Sequence, residues 1–222
     1  MKLYNADCLS ILPNLPDKSI NLVLTDPPYG TTVCKWDSVI PFEPMWKELK
    51  RIIKDNGCIA LFGSEPFSSC LRTSNIKWFK YDWIWSKSRT TGFLDCKKKP
   101  MKCYELISIF YKHQPTYKYE LKKLDKPISK TRIGGKSGSL LNKTNSLINE
   151  MQKETGYPIQ IIHFKNEHNV GKNIHSTQKP VALLEYLIKT YTNENDTVLD
   201  FTMGSGSTGV ACKNLNREFI GI

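Results

Sequence analysis

Two stretches of this chain combine residue types and spacing that could do chemistry. The first is Asp26-Pro27-Pro28-Tyr29. The exocyclic amine of adenine or cytosine is a poor nucleophile, because its lone pair is delocalised into the ring. A carboxylate can accept one of its hydrogens and a rigid backbone carbonyl the other, which favours a pyramidal nitrogen. Proline aims such a carbonyl by fixing φ, and a following aromatic ring can stack on the base. A base in a duplex must leave the stack to be reached. The same tetrad would also serve as a plain proline-terminated strand end. The second stretch is Asp200-Phe201-Thr202-Met203-Gly204-Ser205-Gly206. Its glycines let backbone approach a ligand and offer it the amide end of the following helix. The next glycine is Gly209, so the full G-x-G-x-x-G spacing is absent. That disfavours a pyrophosphate dinucleotide and leaves room for a smaller adenosine ligand; a tight β–α turn is the bland alternative.

Both stretches need strands to carry them. Residues 20–25 form a short apolar run that reads as a buried strand, stopped by the two prolines. A helix is predicted over 41–56, where Trp46, Leu49, Ile52 and Ile53 recur at helical spacing before Gly57. Further strands are predicted over 58–62, 78–85 and 105–111. Residues 112–172 are rich in Lys, Asn, Ser and Gly and lack periodicity, so they read as an inserted recognition region or a solvated loop. Gly134-Gly135-Lys136-Ser137 within them is no P-loop, since Lys130 stands where that motif needs glycine. A helix follows over 180–191, a strand over 197–200, the glycine turn, a helix carrying Val210, Ala211 and Leu215, and a strand over 218–222. This rhythm argues for an α/β sheet. Residues 1–111 and 173–222 then form two halves of one domain, with 112–172 inserted.

The 222 residues carry 32 Lys and Arg against 21 Asp and Glu, a net charge of +11 that favours a polyanionic partner. No stretch has the length of a transmembrane helix and the start lacks a signal-peptide core, so a cytoplasmic protein is expected. Seven cysteines without a C-x-x-C pair, and four histidines without H-E-x-x-H, give no metal site.

Taken together, the two motifs resemble those of the amino-methylating DNA methyltransferases, the N(6)-adenine and N(4)-cytosine enzymes. In that family the tetrad is [DNS]-P-P-[YFW] and the cofactor motif is roughly D-x-F-x-G-x-G. The tetrad comes first here, which is similar to the permuted order called beta. The resemblance covers residues 4–222 and is weakest over 112–172. It implies a Rossmann-like α/β fold with a mainly parallel central sheet, helices on both faces and permuted motif order. It also implies S-adenosylmethionine as methyl donor and double-stranded DNA as substrate. A restriction endonuclease partner and a homodimer are compatible with it. By the same resemblance, Asp7 in Asn5-Ala6-Asp7-Cys8 contacts the cofactor's adenine, and Lys179 in His175-Ser176-Thr177-Gln178-Lys179-Pro180 lies near its methionine end. Asp200, Phe201, Thr202, Gly204, Ser205 and Gly206 complete the cofactor site, and Asp26, Pro27, Pro28 and Tyr29 the catalytic one. Residues 112–172 become the target-recognition region.

Two departures stand out. The family's phenylalanine is replaced by Thr202, while Phe201 faces the other way if the strand continues. The acidic residue that binds the ribose hydroxyls in relatives would follow Ile222, so weaker cofactor binding is expected. For DNA phosphates, the candidates are Lys97, Lys98 and Lys99, with Arg132, Lys136 and Lys143. An aspartate at the first tetrad position favours adenine over cytosine by family habit. RNA and protein-glutamine methyltransferases place their cofactor motif before the tetrad. A non-catalytic DNA-binding protein on a decayed scaffold is the reading from another class.

Overall fold

A computed structural model of the chain describes residues 1–32, 37–123, 155–166 and 178–222. Its frame is set by strand β2 (Ile20–Thr25). Alternation sends Leu22 and Leu24 into one core and Val23 into another, which Ile20 joins across a register shift between Ile20 and Leu22. Strand β3 (Ile53–Gly63) repeats the pattern, with Cys58, Ala60 and Phe62 on the first face and Ile59 and Leu61 on the second. A strand buried on both faces needs helices on both.

They are present. On the second face lie α1 (Cys8–Ile11), α2 (Phe42–Ile52) and α3 (Phe67–Ser74), which contribute Cys8, Trp46, Leu49 and Leu71. On the first lie α4 (Val181–Tyr191) and α5 (Ser207–Asn214), which contribute Leu184, Leu187, Ile188 and Ala211. The remaining strands of this unit are β1 (Lys2–Leu3), β4 (Phe79–Thr91), β5 (Lys102–Phe110), β8 (Ile161–Phe164), β9 (Thr197–Asp200) and β10 (Glu218–Gly221). Among the described residues the sheet runs β1-β10-β9-β2-β3-β5-β4-β8. All neighbours are parallel except β5, which is antiparallel to both β3 and β4.

The chain divides into two compact units, Met1–Lys118 with Gln160–Ile222, and Tyr119–Ile159. In the second, β6 (Lys122–Lys123) pairs antiparallel with β7 (Thr155–Gly156), and the Tyr119 and Tyr157 rings lie 5.2 Å apart.

Several boundaries differ from the sequence reading. Helix α2 stops at Ile52, because Ile53 is extended (φ −71°, ψ 138°) and pairs with Ile20. Asp55, Asn56 and Gly57, poor helix formers, then leave the strand free to form. Strand β4 continues past Trp85 through a polar stretch to Thr91. Helix α3 and strand β8 were not predicted: α3 is mostly Ser, Cys and Thr, and β8 has four residues at the sheet's edge.

Candidate active site

The two motifs, about 175 residues apart, meet because β2 and β9 are parallel neighbours. Leu22 is level with Val198 and Val23 with Leu199. Their carboxyl ends therefore deliver Asp26 and Asp200 to one edge of the sheet. From β9 the chain proceeds towards β10, and from β2 towards β3, on opposite sides. The pair thus marks a topological switch point, where open α/β sheets hold ligands. A cavity of about 820 Å³ opens there, lined by the whole tetrad and by Thr202, Gly204, Ser205 and Asp200. This volume falls within the usual range for small-molecule sites.

Asp26 is the hub. Its Oδ1 accepts a hydrogen bond from the Tyr29 hydroxyl, and its Oδ2 from the Lys179 ammonium. Its backbone carbonyl accepts the Thr202 hydroxyl at 3.0 Å, tying tetrad to glycine turn directly. Phe67 stacks against the Tyr29 ring at 5.1 Å between centroids. Burial raises the Tyr29 phenol well above its usual range, and the charges of Asp26 and Glu105 add to this, so it stays a donor.

Lys179 is buried between two carboxylates, Asp26 and, at 3.5 Å, Glu105. Burial alone would lower the Lys179 pKa; Asp26 and Glu105 outweigh it, and the value is raised. Glu105 on β5 also pairs with Lys87 on β4. Burial works against its charge, yet Lys179 and Lys87 hold its pKa below the usual carboxylate range. The result is an alternating row: Lys87, Glu105, Lys179, Asp26.

Beyond the tetrad, Asp37 organises the backbone. Its carboxylate accepts the N–H groups of Tyr29, Gly30, Thr31 and Thr32 at 2.6–2.9 Å. Burial works to raise its pKa, but a hydrogen bond from the Thr32 side chain and those from the backbone amides outweigh it and lower the value. Asp37, Glu105 and Lys87 were not anticipated from the sequence. Only Glu105, a charge opening an apolar strand, left a readable signal.

At the glycine turn, Gly204 and Gly206 adopt positive φ (50° and 75°), and a Cβ on either would meet nothing within 4 Å. Both therefore present bare backbone, followed by the first turn of α5, whose Ser207 and Thr208 line the cavity. That suits close approach of a small ligand to backbone amides. Thr202 faces the cavity, whereas Phe201 is buried in the opposite core with Leu199 and Ile222. Asp7 caps α1 through the Leu9 amide and is not part of the cavity wall. Lys97, Lys98 and Lys99 are exposed beyond the end of β4, Lys99 paired with Asp95 at 3.1 Å. Arg132, Lys136, Lys143 and His175 to Thr177 lie outside the described residues. Among the described residues no cluster of His, Cys, Asp or Glu could hold a metal, and no helix is long and apolar enough to cross a membrane.

Asp200 is fully used within the protein. It accepts hydrogen bonds from Thr208 (2.6 Å), Thr25 (3.1 Å) and the Thr202 amide (3.2 Å), which lock β9, β2 and α5 around the turn. Burial outweighs these bonds and raises its pKa to about 6. A carboxyl whose folded pKa exceeds its unfolded value stabilises the fold increasingly as pH falls from above 6 towards 4. Over that window Asp200→Asn should flatten the pH dependence of Tm by an amount equivalent to about 3 kcal/mol. Thermal melts at pH 4.5 and 7.5 check this; an unchanged difference would contradict it.

A family model described as DNA methylase, of the N6/N4 methyltransferases, matches residues 20–222. The type II methyltransferase M1.MboII of Moraxella bovis is 28% identical over 99% of this chain and 90% of its own length. The type II methyltransferase M.HpaI of Haemophilus parainfluenzae is 29% identical over 100% and 69%. Among solved structures, the M1.HpyAVI–SAM complex superposes with a TM-score of 0.64 at 26% identity, covering 100% of this chain and 91% of the other. The cytosine-N4-specific PvuII DNA methyltransferase shares the fold, with a TM-score of 0.68 at 16% identity over 99% and 80% of the two chains. With the family model spanning both motifs and most of the chain, this protein belongs to the N6/N4 DNA methylase family.

Proposed function

We propose that the protein transfers a methyl group from S-adenosylmethionine to the exocyclic amine of adenine in double-stranded DNA. One observation carries the reading: Asp26 and the Gly204-Ser205 stretch of the glycine turn line a single cavity, and the Thr202–Asp26 hydrogen bond joins the two motifs. When bound, S-adenosylmethionine supplies an electrophilic methyl group. Asp26 accepts a hydrogen from the amine and holds its lone pair out of the ring plane. Pro27 and Pro28 fix the adjoining backbone, and Tyr29 offers its ring for stacking on an extruded base. As the amine forms its new bond to carbon, Asp26 is the group placed to take on the excess proton. The aspartate at the first tetrad position supports adenine. The type II names of the relatives support a modification role beside a restriction endonuclease, with residues 112–172 reading the target.

The test is direct. Unmethylated DNA is incubated with labelled S-adenosylmethionine and digested to nucleosides. N(6)-methyladenine is expected. N(4)-methylcytosine would overturn the choice of base, and no label at all would overturn the activity.

A further inference from the structure

The hairpin end between β4 and β5 is built unlike an ordinary solvated turn. Phe93 and Leu94 sit at its apex, 73% and 98% exposed. Yet the apex is an ordered turn. Gly92 reverses the chain at φ 89°, and the amides of Asp95, Cys96, Lys98 and Lys99 bond back to the carbonyls of Gly92, Phe93 and Asp95 at 2.8–3.1 Å. Two apolar side chains are thus held out into solvent on a defined platform.

Their surroundings point to one partner. Residues 88–102 carry five basic side chains and one acidic one, which suits a polyanion and not an apolar protein surface. The same hairpin walls the cavity: Lys87, Arg89, Thr90 and Thr91 line it. Phe93 follows Thr91 by two residues, which limits the Cα separation to about 7 Å. An apolar pair therefore stands on the same hairpin, a few residues from side chains that line the cavity.

Extruding a base leaves a gap in the stack, and apolar side chains inserted between bases are a general means of holding such a distortion. We propose that Phe93 and Leu94 form a wedge that enters the duplex at the target base pair and holds the base out, while Lys97, Lys98 and Lys99 seat the hairpin on flanking phosphates. This rests on the DNA methyltransferase reading above.

The experiment uses the full chain with Phe93→Ala/Leu94→Ala, both exposed positions where a matching Tm verifies the fold. Methylated sites mapped on bulk DNA supply the target for two duplexes. In one the target base is paired; in the other it faces an abasic position and is already loose. A fluorescent base analogue at the target reports extrusion on binding, without methyl transfer. The double variant should lose about tenfold or more in methylation rate and most of the fluorescence rise on the paired duplex, and recover both to within about twofold of the unmodified protein on the abasic one. Equal losses on both duplexes, or no loss on either, would overturn the wedge. Failure of the unmodified chain to methylate any DNA would instead remove the reading beneath it, and the wedge with it.

Discussion

Asp26→Ala should lower kcat for methyl transfer by roughly 10³-fold or more while changing the affinity for S-adenosylmethionine by less than about threefold. The carboxylate acts on the amine, whereas Gly204, Ser205 and the first turn of α5 are the other part of the cavity lining, offered to the cofactor. The substitution leaves Lys87 and Lys179 sharing Glu105, one positive charge in excess, so Tm should also fall and rates are compared below the variant's melting transition. Asp26→Asn keeps one acceptor but turns donors towards Lys179 or Tyr29, and about 10²-fold should be lost. The neighbouring tyrosine separates orientation from stacking. A carboxylate oxygen accepts more than one hydrogen bond, so an amine can share Oδ1 with the Tyr29 hydroxyl. Tyr29→Phe should therefore stay within about threefold of the unmodified rate. Tyr29→Ala removes the ring and should cost kcat/KM about 10- to 100-fold, the value of one stacked base. Single-turnover rates and calorimetric titration with the cofactor check these outcomes. Retained turnover in Asp26→Ala would refute the assigned role.

What could be read from the sequence was what depends on local pattern. The run over 20–25, the prolines that end it, the helix over 180–191 and the turn at Gly204 and Gly206 each announce themselves within a few residues, and the structure places them as expected, with Pro180 as the helix's N-cap residue. Elements whose reason lies elsewhere in the chain were hidden. Strand β8 exists because β4 offers an edge, with Ile84 level with Ile161. Residues 53–57 leave the helix because Ile20 pairs with Ile53, which no helical periodicity reveals. The site shows the same division. Asp26 and the glycines are motif residues. Asp37 matters only because the chain folds back so that its carboxylate meets the amides of residues 29–32. Glu105 and Lys87 come from adjacent antiparallel strands, and Glu105 meets both Lys87 and Lys179 only in three dimensions. Thr202 is the instructive case. It departs from the family's phenylalanine, yet its hydroxyl forms the bond that fastens the two motifs together.

The largest effect on stability is expected from Lys179→Met. Lys179 and Glu105 expose only 10% and 15% of their side chains, and the row Lys87, Glu105, Lys179, Asp26 is neutral as a whole. Removing one partner of a buried ion pair leaves an uncompensated charge, at a cost of about 3–5 kcal/mol. Pairing the change with Glu105→Gln restores balance, so the double variant should be more stable than Lys179→Met alone, and Lys179→Arg should retain most of the stability. The pH dependence gives an independent check. In the native protein the Glu105 pKa is depressed, so its contribution is present above the ordinary glutamate range and is lost as pH falls through the folded value. The Lys179 pKa is raised, so its contribution is present below the ordinary lysine range and is lost as pH rises through the folded value. These two groups together contribute evenly between about pH 5 and 10, and the rise in stability from Asp200 below pH 6 is superimposed on that. Without Lys179, burial opposes the Glu105 charge with only Lys87 left to favour it, so acidification towards pH 4.5 should narrow the Tm gap between the variant and the native protein. A gap that stays constant or widens on acidification would show that Lys179 does not hold Glu105 ionised. Should the double variant recover its Tm but not its methylation rate, Lys179 also positions Asp26, through the ion pair that fixes the carboxylate facing the base.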